Sequence, residues 1–135
     1  MYSKNLTVKE LYSSIFKSDY IAKLFADGLA MNNDGLAVSA AKELMERGDY
    51  LIVRDTLDKA FDSGVIVKES SLISLLGRTL MDNTRGLDPI LCHYGGGLLR
   101  GDYMGPSKWY SIPENQERVN GKKGRLANKL AGMPT

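Results

Sequence analysis

The amino-acid sequence predicts a mostly α protein. A compact bundle of four to five short helices fills about residues 7–82, followed by a Gly/Pro-rich irregular arm with a short C-terminal helix. Three observations predict this. Apolar residues before Asp82 recur at helical spacing. Nine of the 14 glycines and all four prolines fall after residue 85. The charge follows the same division: residues 1–82 hold ten Lys/Arg against twelve Asp/Glu, and residues 83–135 hold eight against four. The expected organisation is thus a helical core at 1–82 and a glycine-rich, aromatic, basic arm at 83–135 that packs on the core or on a partner.

In chain order, Val8, Leu11, Tyr12, Ile15 and Phe16 form one apolar stripe, and Thr7 with Glu10 has capping-box spacing. Ser18 or Asp19 is placed to cap a second helix that carries Ile21, Leu24 and Phe25 and ends near Gly28. Asn32-Asn33-Asp34-Gly35 is a turn signal. A third helix over about Leu36 to Arg47 turns Ala37, Ala40, Ala41 and Leu44 inward. Gly48 then suits left-handed geometry, and Asp49 suits the next N-cap. The fourth helix places Tyr50, Val53, Leu57, Ala60 and Phe61 on one face and stops at Ser63-Gly64. Val65-Ile66-Val67 reads as one strand or a buried linker. Ser70 or Ser71 opens a fifth helix with Leu72, Leu75, Leu76, Thr79 and Leu80 inward, ending at Asp82-Asn83.

From Arg85 onward, Gly86, Pro89, Gly95-Gly96-Gly97, Gly101, Gly105-Pro106 and Pro113 interrupt the chain too often for an interior helix before Glu114. A helix over 114–130 is broken by Gly121 and Gly124, each costing about 1 kcal/mol relative to Ala. The arm carries apolar anchors, including Leu91, Leu98 and Leu99, with the sole Trp and three of the seven Tyr. Tyr94, Leu98, Leu99, Tyr103, Trp109 and Tyr110 are therefore the expected partner contacts. Because Trp109 lies outside the core's periodic stripes, its truncation is expected to weaken a complex more than the core.

Composition narrows the function. At 135 residues, 43% apolar and 25% charged, the chain is long enough to bury a core and is neither collagen-like nor disordered. A formal charge of +2 is too small for a dedicated polyanion binder. The one Cys, Cys92, precludes an internal disulfide and fits a reducing compartment. No apolar run approaches the ~20 residues of a membrane span, and the first residues lack a signal-peptide pattern. A cytoplasmic protein, or one inside a virion assembled in the cytoplasm, is expected.

Catalytic and metal motifs are sparse. One Cys and one His cannot supply a zinc site, so no metal and no cofactor are expected. Cys92 and His93 are adjacent and do not form a nucleophile–base dyad by themselves. Gly95-Gly96-Gly97 lacks the Gly-Lys-Ser/Thr ending of a phosphate loop. The expected function is a non-enzymatic interaction or structural protein, a small subunit or regulator of a larger assembly that uses its C-terminal arm. Small virion, connector and ribonucleoprotein subunits share such a core-plus-arm arrangement. The partner is then another protein or further copies of the chain, with no membrane. The alternative is nucleic-acid binding, through Arg118, Lys122, Lys123, Arg125 and Lys129 or through a helix-turn-helix-like hairpin at 40–61 whose mixed charge includes Asp55 and Asp58.

Overall fold

A computed structural model describes residues 17–68 and 70–130, with side chains up to position 121. The helix expected over 7–16 lies outside the described residues. Among those described, seven helices and no strand form a compact helical bundle.

The first four helices follow the apolar periodicity. Helix α1 (Ser18–Ala30) buries Ile21, Phe25 and Leu29. Its Gly28 lies against α2 (Asp34–Glu46) so closely that a Cβ would sit 2.6 Å from the Ala37 amide nitrogen. Asn32 takes a left-handed φ of 52°, and the Asn33 side chain accepts from the Leu36 amide at 3.1 Å, capping α2. The small side chains of Ala37, Ala40 and Ala41 keep α2 close to its neighbours.

Helices α2 and α3 (Tyr50–Asp62) end in the same way. Gly48 and Gly64 adopt φ of 79° and 73°. The Asp49 and Val65 amides then reach back to the Leu44 and Ala60 carbonyls at 2.9 and 3.3 Å, the hydrogen-bond pattern of a Schellman cap. Asp49 occupies the expected N-cap position without capping. Its carboxylate instead accepts the hydroxyl of Ser18, tying the start of α3 to the start of α1. Of Val65-Ile66-Val67, only Ile66 is buried, so this segment is a linker pinned at one residue.

Helix α4 (Ser71–Thr84) buries Leu72, Ile73, Leu76, Gly77, Thr79 and Leu80. Leu75, expected inward, is 45% exposed, and Ile73 is buried instead. The buried face is shifted because α4 packs against a further helix at Gly77.

That helix is where structure and sequence expectation part. Residues expected to be irregular form α5 (Pro89–Arg100). Asp88 caps it, accepting from the Leu91 amide at 3.1 Å, Pro89 occupies the first turn, and Gly101 closes it with φ of 96°. Its glycines are contact points rather than breaks. A Cβ on Gly95 would lie 2.5 Å from the Gly77 carbonyl oxygen, and one on Gly77 would lie 2.8 Å from that of Gly95. The α4 and α5 backbones therefore touch, offsetting the low helix propensity of glycine.

Helix α6 (Pro106–Ser111) follows a short loop, and α7 (Pro113–Leu130) comes after the extended Ile112. The expected break at Gly121 is present, with φ of 64° and ψ of −169° interrupting α7. Leu91, Tyr94, Leu98 and Trp109 join the same hydrophobic cluster as Phe25, Leu44, Leu57 and Leu76. Trp109, expected outside the core, is fully buried. No helix among the described residues is long and apolar enough to cross a membrane.

Candidate partner-binding surface

The aromatic residues of the second half build one construction around the α5–α6 loop. Tyr94, on the buried face of α5, packs edge-on against Trp109 of α6, with ring centroids 5.8 Å apart and planes at 75°. Its hydroxyl donates to the Met104 carbonyl at 2.6 Å. The Trp109 indole N–H donates to the Asp102 carboxylate at 3.1 Å, and the Asn115 amide donates to the Trp109 carbonyl at 2.9 Å. Burial first, and the Asp58 carboxylate second, raise the Tyr94 phenol well above its ordinary pKa, so it remains a neutral donor.

Helix α6 lacks an N-cap side chain of its own because residue 105 is glycine. Asp58 of α3 takes that role across the fold, accepting the Ser107 amide at 2.9 Å and the Ser107 hydroxyl at 2.5 Å. A side chain at 105 would collide with it, as a Cβ there would lie 2.6 Å from Asp58 Oδ1. The α5–α6 loop is thus held from three sides.

The outer face of this loop forms one wall of an open cleft of about 470 Å³. Phe61, Ile66, Tyr103 and Met104 line it, together with Asp62, Lys68 and Lys108. Asp62 stands 3.8 Å from the Lys108 ammonium, and both are well exposed, so the pair is weak and, among the described residues, the lining keeps one cation in excess. An apolar, partly aromatic floor with a cationic rim suits a short peptide segment with one large apolar side chain beside a carboxylate.

Of the six residues expected to contact a partner, Tyr94, Leu98 and Trp109 lie in the core. Tyr103 lines the cleft and is half-buried. Leu99 is 42% exposed on α5 away from the cleft, and half-buried Tyr110 accepts from the Asn120 amide at 3.4 Å. Arg118 is exposed on α7 and pairs with Glu114 at 3.2 Å. The side chains of Lys122, Lys123, Arg125 and Lys129 lie outside the described residues. In the 40–61 hairpin, Arg54 pairs with the buried Asp88 at 2.5 Å, and Lys59 pairs with Asp55 at 3.0 Å.

Comparison with protein-family models, curated proteins and solved structures finds no match to the chain. Function must come from the residues themselves.

Cys92 packs its thiol 3.9 Å from the Met81 carbonyl oxygen, whereas His93, one step on around α5, is exposed. No group of three His, Cys, Asp or Glu side chains converges among the described residues. The sequence pointed to Tyr103 but not to Phe61, Ile66, Lys68 or Lys108 as its companions. Nothing local in the sequence marks them, because the cleft depends on Asp58 reaching Ser107 across 49 positions.

Proposed function

We propose that this protein is a non-enzymatic interaction module, a small subunit or regulator of a larger assembly, that takes a short acidic segment of another protein into the cleft between Phe61 and Tyr103. The observation that carries this reading is the contrast between the two sides of the α5–α6 loop. Beneath it, Tyr94, Trp109 and Asp58 fix the backbone by hydrogen bonds. Above it, Tyr103, Met104 and Phe61 line an open cleft that Lys68 and Lys108 also line. A preorganised surface of this kind lowers the ordering cost of binding.

The test is selection of displayed peptides on the full chain. Enriched peptides are expected to carry one large apolar residue next to Asp or Glu. Their affinity should fall at least tenfold, about 1.4 kcal/mol, for Tyr103→Ala and for a Lys68→Glu, Lys108→Glu double variant. The lysine pair keeps the test valid should Tyr103→Ala loosen the loop. Peptides that bind both variants as well as the parent would overturn the proposal.

A further inference from the structure

The two lysines of the cleft are not equivalent. Lys108, on α6, stands 3.8 Å from Asp62, which lines the same cleft. Lys68 makes no ion pair among the described residues, and its neighbour in sequence, Glu69, lies outside them. Asp58, the other acid of α3 that reaches α6, is occupied by the Ser107 amide and hydroxyl. The cleft thus already holds one carboxylate, placed on one of its two cations.

Neither helix chemistry nor stability accounts for that carboxylate. Asp62 is the last residue of α3, where the helix dipole disfavours a negative charge. Its side chain is 63% exposed and that of Lys108 76%, so the pair adds little to folding. A contact this loose exchanges partners by side-chain rotation alone. The loop beside it need not move, since Tyr94, Trp109 and Asp58 fix its backbone from beneath.

We propose that Asp62 is the cleft's internal competitor for the partner's carboxylates. Lys68 takes the first acidic group of the bound segment, and Lys108 accepts a second only by giving up Asp62. This inference rests on the reading of the cleft as a site for an acidic segment, and it adds the selectivity of that site. Asp62 repels a carboxylate that approaches Lys108, so a segment with one acid beside its apolar residue is favoured and a second acid gains little. Such a repulsive element is a common source of specificity.

The test uses the full chain and the tightest end-blocked peptide from the displayed selection that carries a single carboxylate. Two relatives of that peptide accompany it, one with the carboxylate replaced by its amide and one with a second acid added. Fluorescence anisotropy measures each against the parent and the variants. Asp62→Asn should tighten the singly acidic peptide about threefold and the doubly acidic one about tenfold, with the amide version unchanged. In the parent, Lys68→Ala should weaken the singly acidic peptide about fivefold and Lys108→Ala less than about twofold; combined with Asp62→Asn, the Lys108→Ala loss should rise to about fivefold. The urea midpoint of Asp62→Asn should equal or exceed that of the parent, because the charge it removes opposes the α3 dipole.

A selection that yields no acidic peptide would overturn the reading of the cleft, and this inference with it. Acidic peptides that bind the parent with affinities unchanged or weakened by Asp62→Asn would overturn the inference alone. Equal losses for Lys68→Ala and Lys108→Ala in the parent would do the same, as would an equal gain by the amide peptide in Asp62→Asn, which would make the effect one of shape rather than charge.

Discussion

Alanine substitution at Gly95, Gly96 and Gly97 separates three neighbouring positions by sign. At Gly95 the new methyl would sit 2.5 Å from the Gly77 carbonyl oxygen and 3.1 Å from the Met81 amide nitrogen, both backbone atoms of α4. Helix α5 must then move away from α4. Overpacking of this kind costs about 1–3 kcal/mol, against a propensity gain of about 1 kcal/mol for replacing glycine within a helix. The expected net effect is a loss of up to about 2 kcal/mol. At Gly97 the methyl meets Trp109 Nε1 at 2.6 Å, and the buried ring has nowhere to retreat, so a similar loss follows together with a weakened bond to Asp102.

Gly96 is different. Its nearest neighbour would be a guanidinium nitrogen of Arg100 at 3.2 Å, the far end of a flexible side chain that is 45% exposed. That group can swing aside, so Gly96→Ala should stabilise the protein by up to about 1 kcal/mol. Urea unfolding at 25 °C, followed by circular dichroism and by Trp109 fluorescence, measures all three. In thermal unfolding each kcal/mol corresponds to about 3–6 °C for a domain of this size. Three changes of the same sign would refute the reasoning. Three changes near zero would return residues 95–97 to an irregular, unpacked segment.

Other substitutions test the remaining contacts. Trp109→Ala should cost about 3–5 kcal/mol, a large share of a typical domain's stability, and Trp109→Phe distinctly less; urea midpoints that barely move would remove Trp109 from the core. Tyr94→Phe should cost about 1 kcal/mol at neutral pH through the lost bond to Met104. Because the folded Tyr94 keeps its proton beyond the ~10 at which the unfolded residue releases it, its contribution is complete below that pH and declines as pH rises above it, at about 1.4 kcal/mol per unit. The Phe variant should lack that component when urea midpoints at pH 7 and pH 11 are compared. Asp88→Asn retains an oxygen for the Leu91 amide but not the charge for Arg54, and should lose about 2 kcal/mol in urea unfolding, with Asp88→Ala losing more. For the basic segment, reversing Lys122, Lys123 and Arg125 to Glu should lower the salt-dependent retention of the protein on immobilised DNA, and unchanged retention would remove that route to nucleic acid.

The first four described helices were legible because their signals are local. Asn33, Gly48 and Gly64 end or start helices by their own backbone and side-chain chemistry, and the 3.6-residue period selects Phe25, Leu44, Leu57 and Leu76 for the core. Ser18 and Asp49 were identified as cap residues, but their side chains bond to each other instead of to helix ends. Helix α5 was not legible from glycine frequency. Glycine reads as a break when considered alone, whereas here it is required by another glycine, Gly77, on a helix eighteen positions earlier. The signals that would have revealed α5 were Asp88-Pro89 at its start and the spacing of Leu91, Tyr94 and Leu98.

The same reason limited the candidate site. Aromatic enrichment after residue 90 pointed to Tyr103 and Trp109 together, but it could not divide them between surface and core. That division is made by Asp102, which takes the indole N–H, and by Asp58, which anchors α6 beneath the loop. Lys68 and Lys108 line the same cleft although forty positions separate them, with α3 and α6 joined through Asp58 and Ser107.

Residues 89–111 as part of the core, with the outer side of the α5–α6 loop left for a partner, underlie the functional proposal. Amide hydrogen exchange of the full chain in the absence of any partner tests this most directly. Residues 91–98 should be protected to the same degree as 72–80, since α4 and α5 share one backbone contact at Gly77 and Gly95. Fast exchange over 91–98 beside a protected α4 would contradict it, and would make this segment an arm that acquires its order only on a partner.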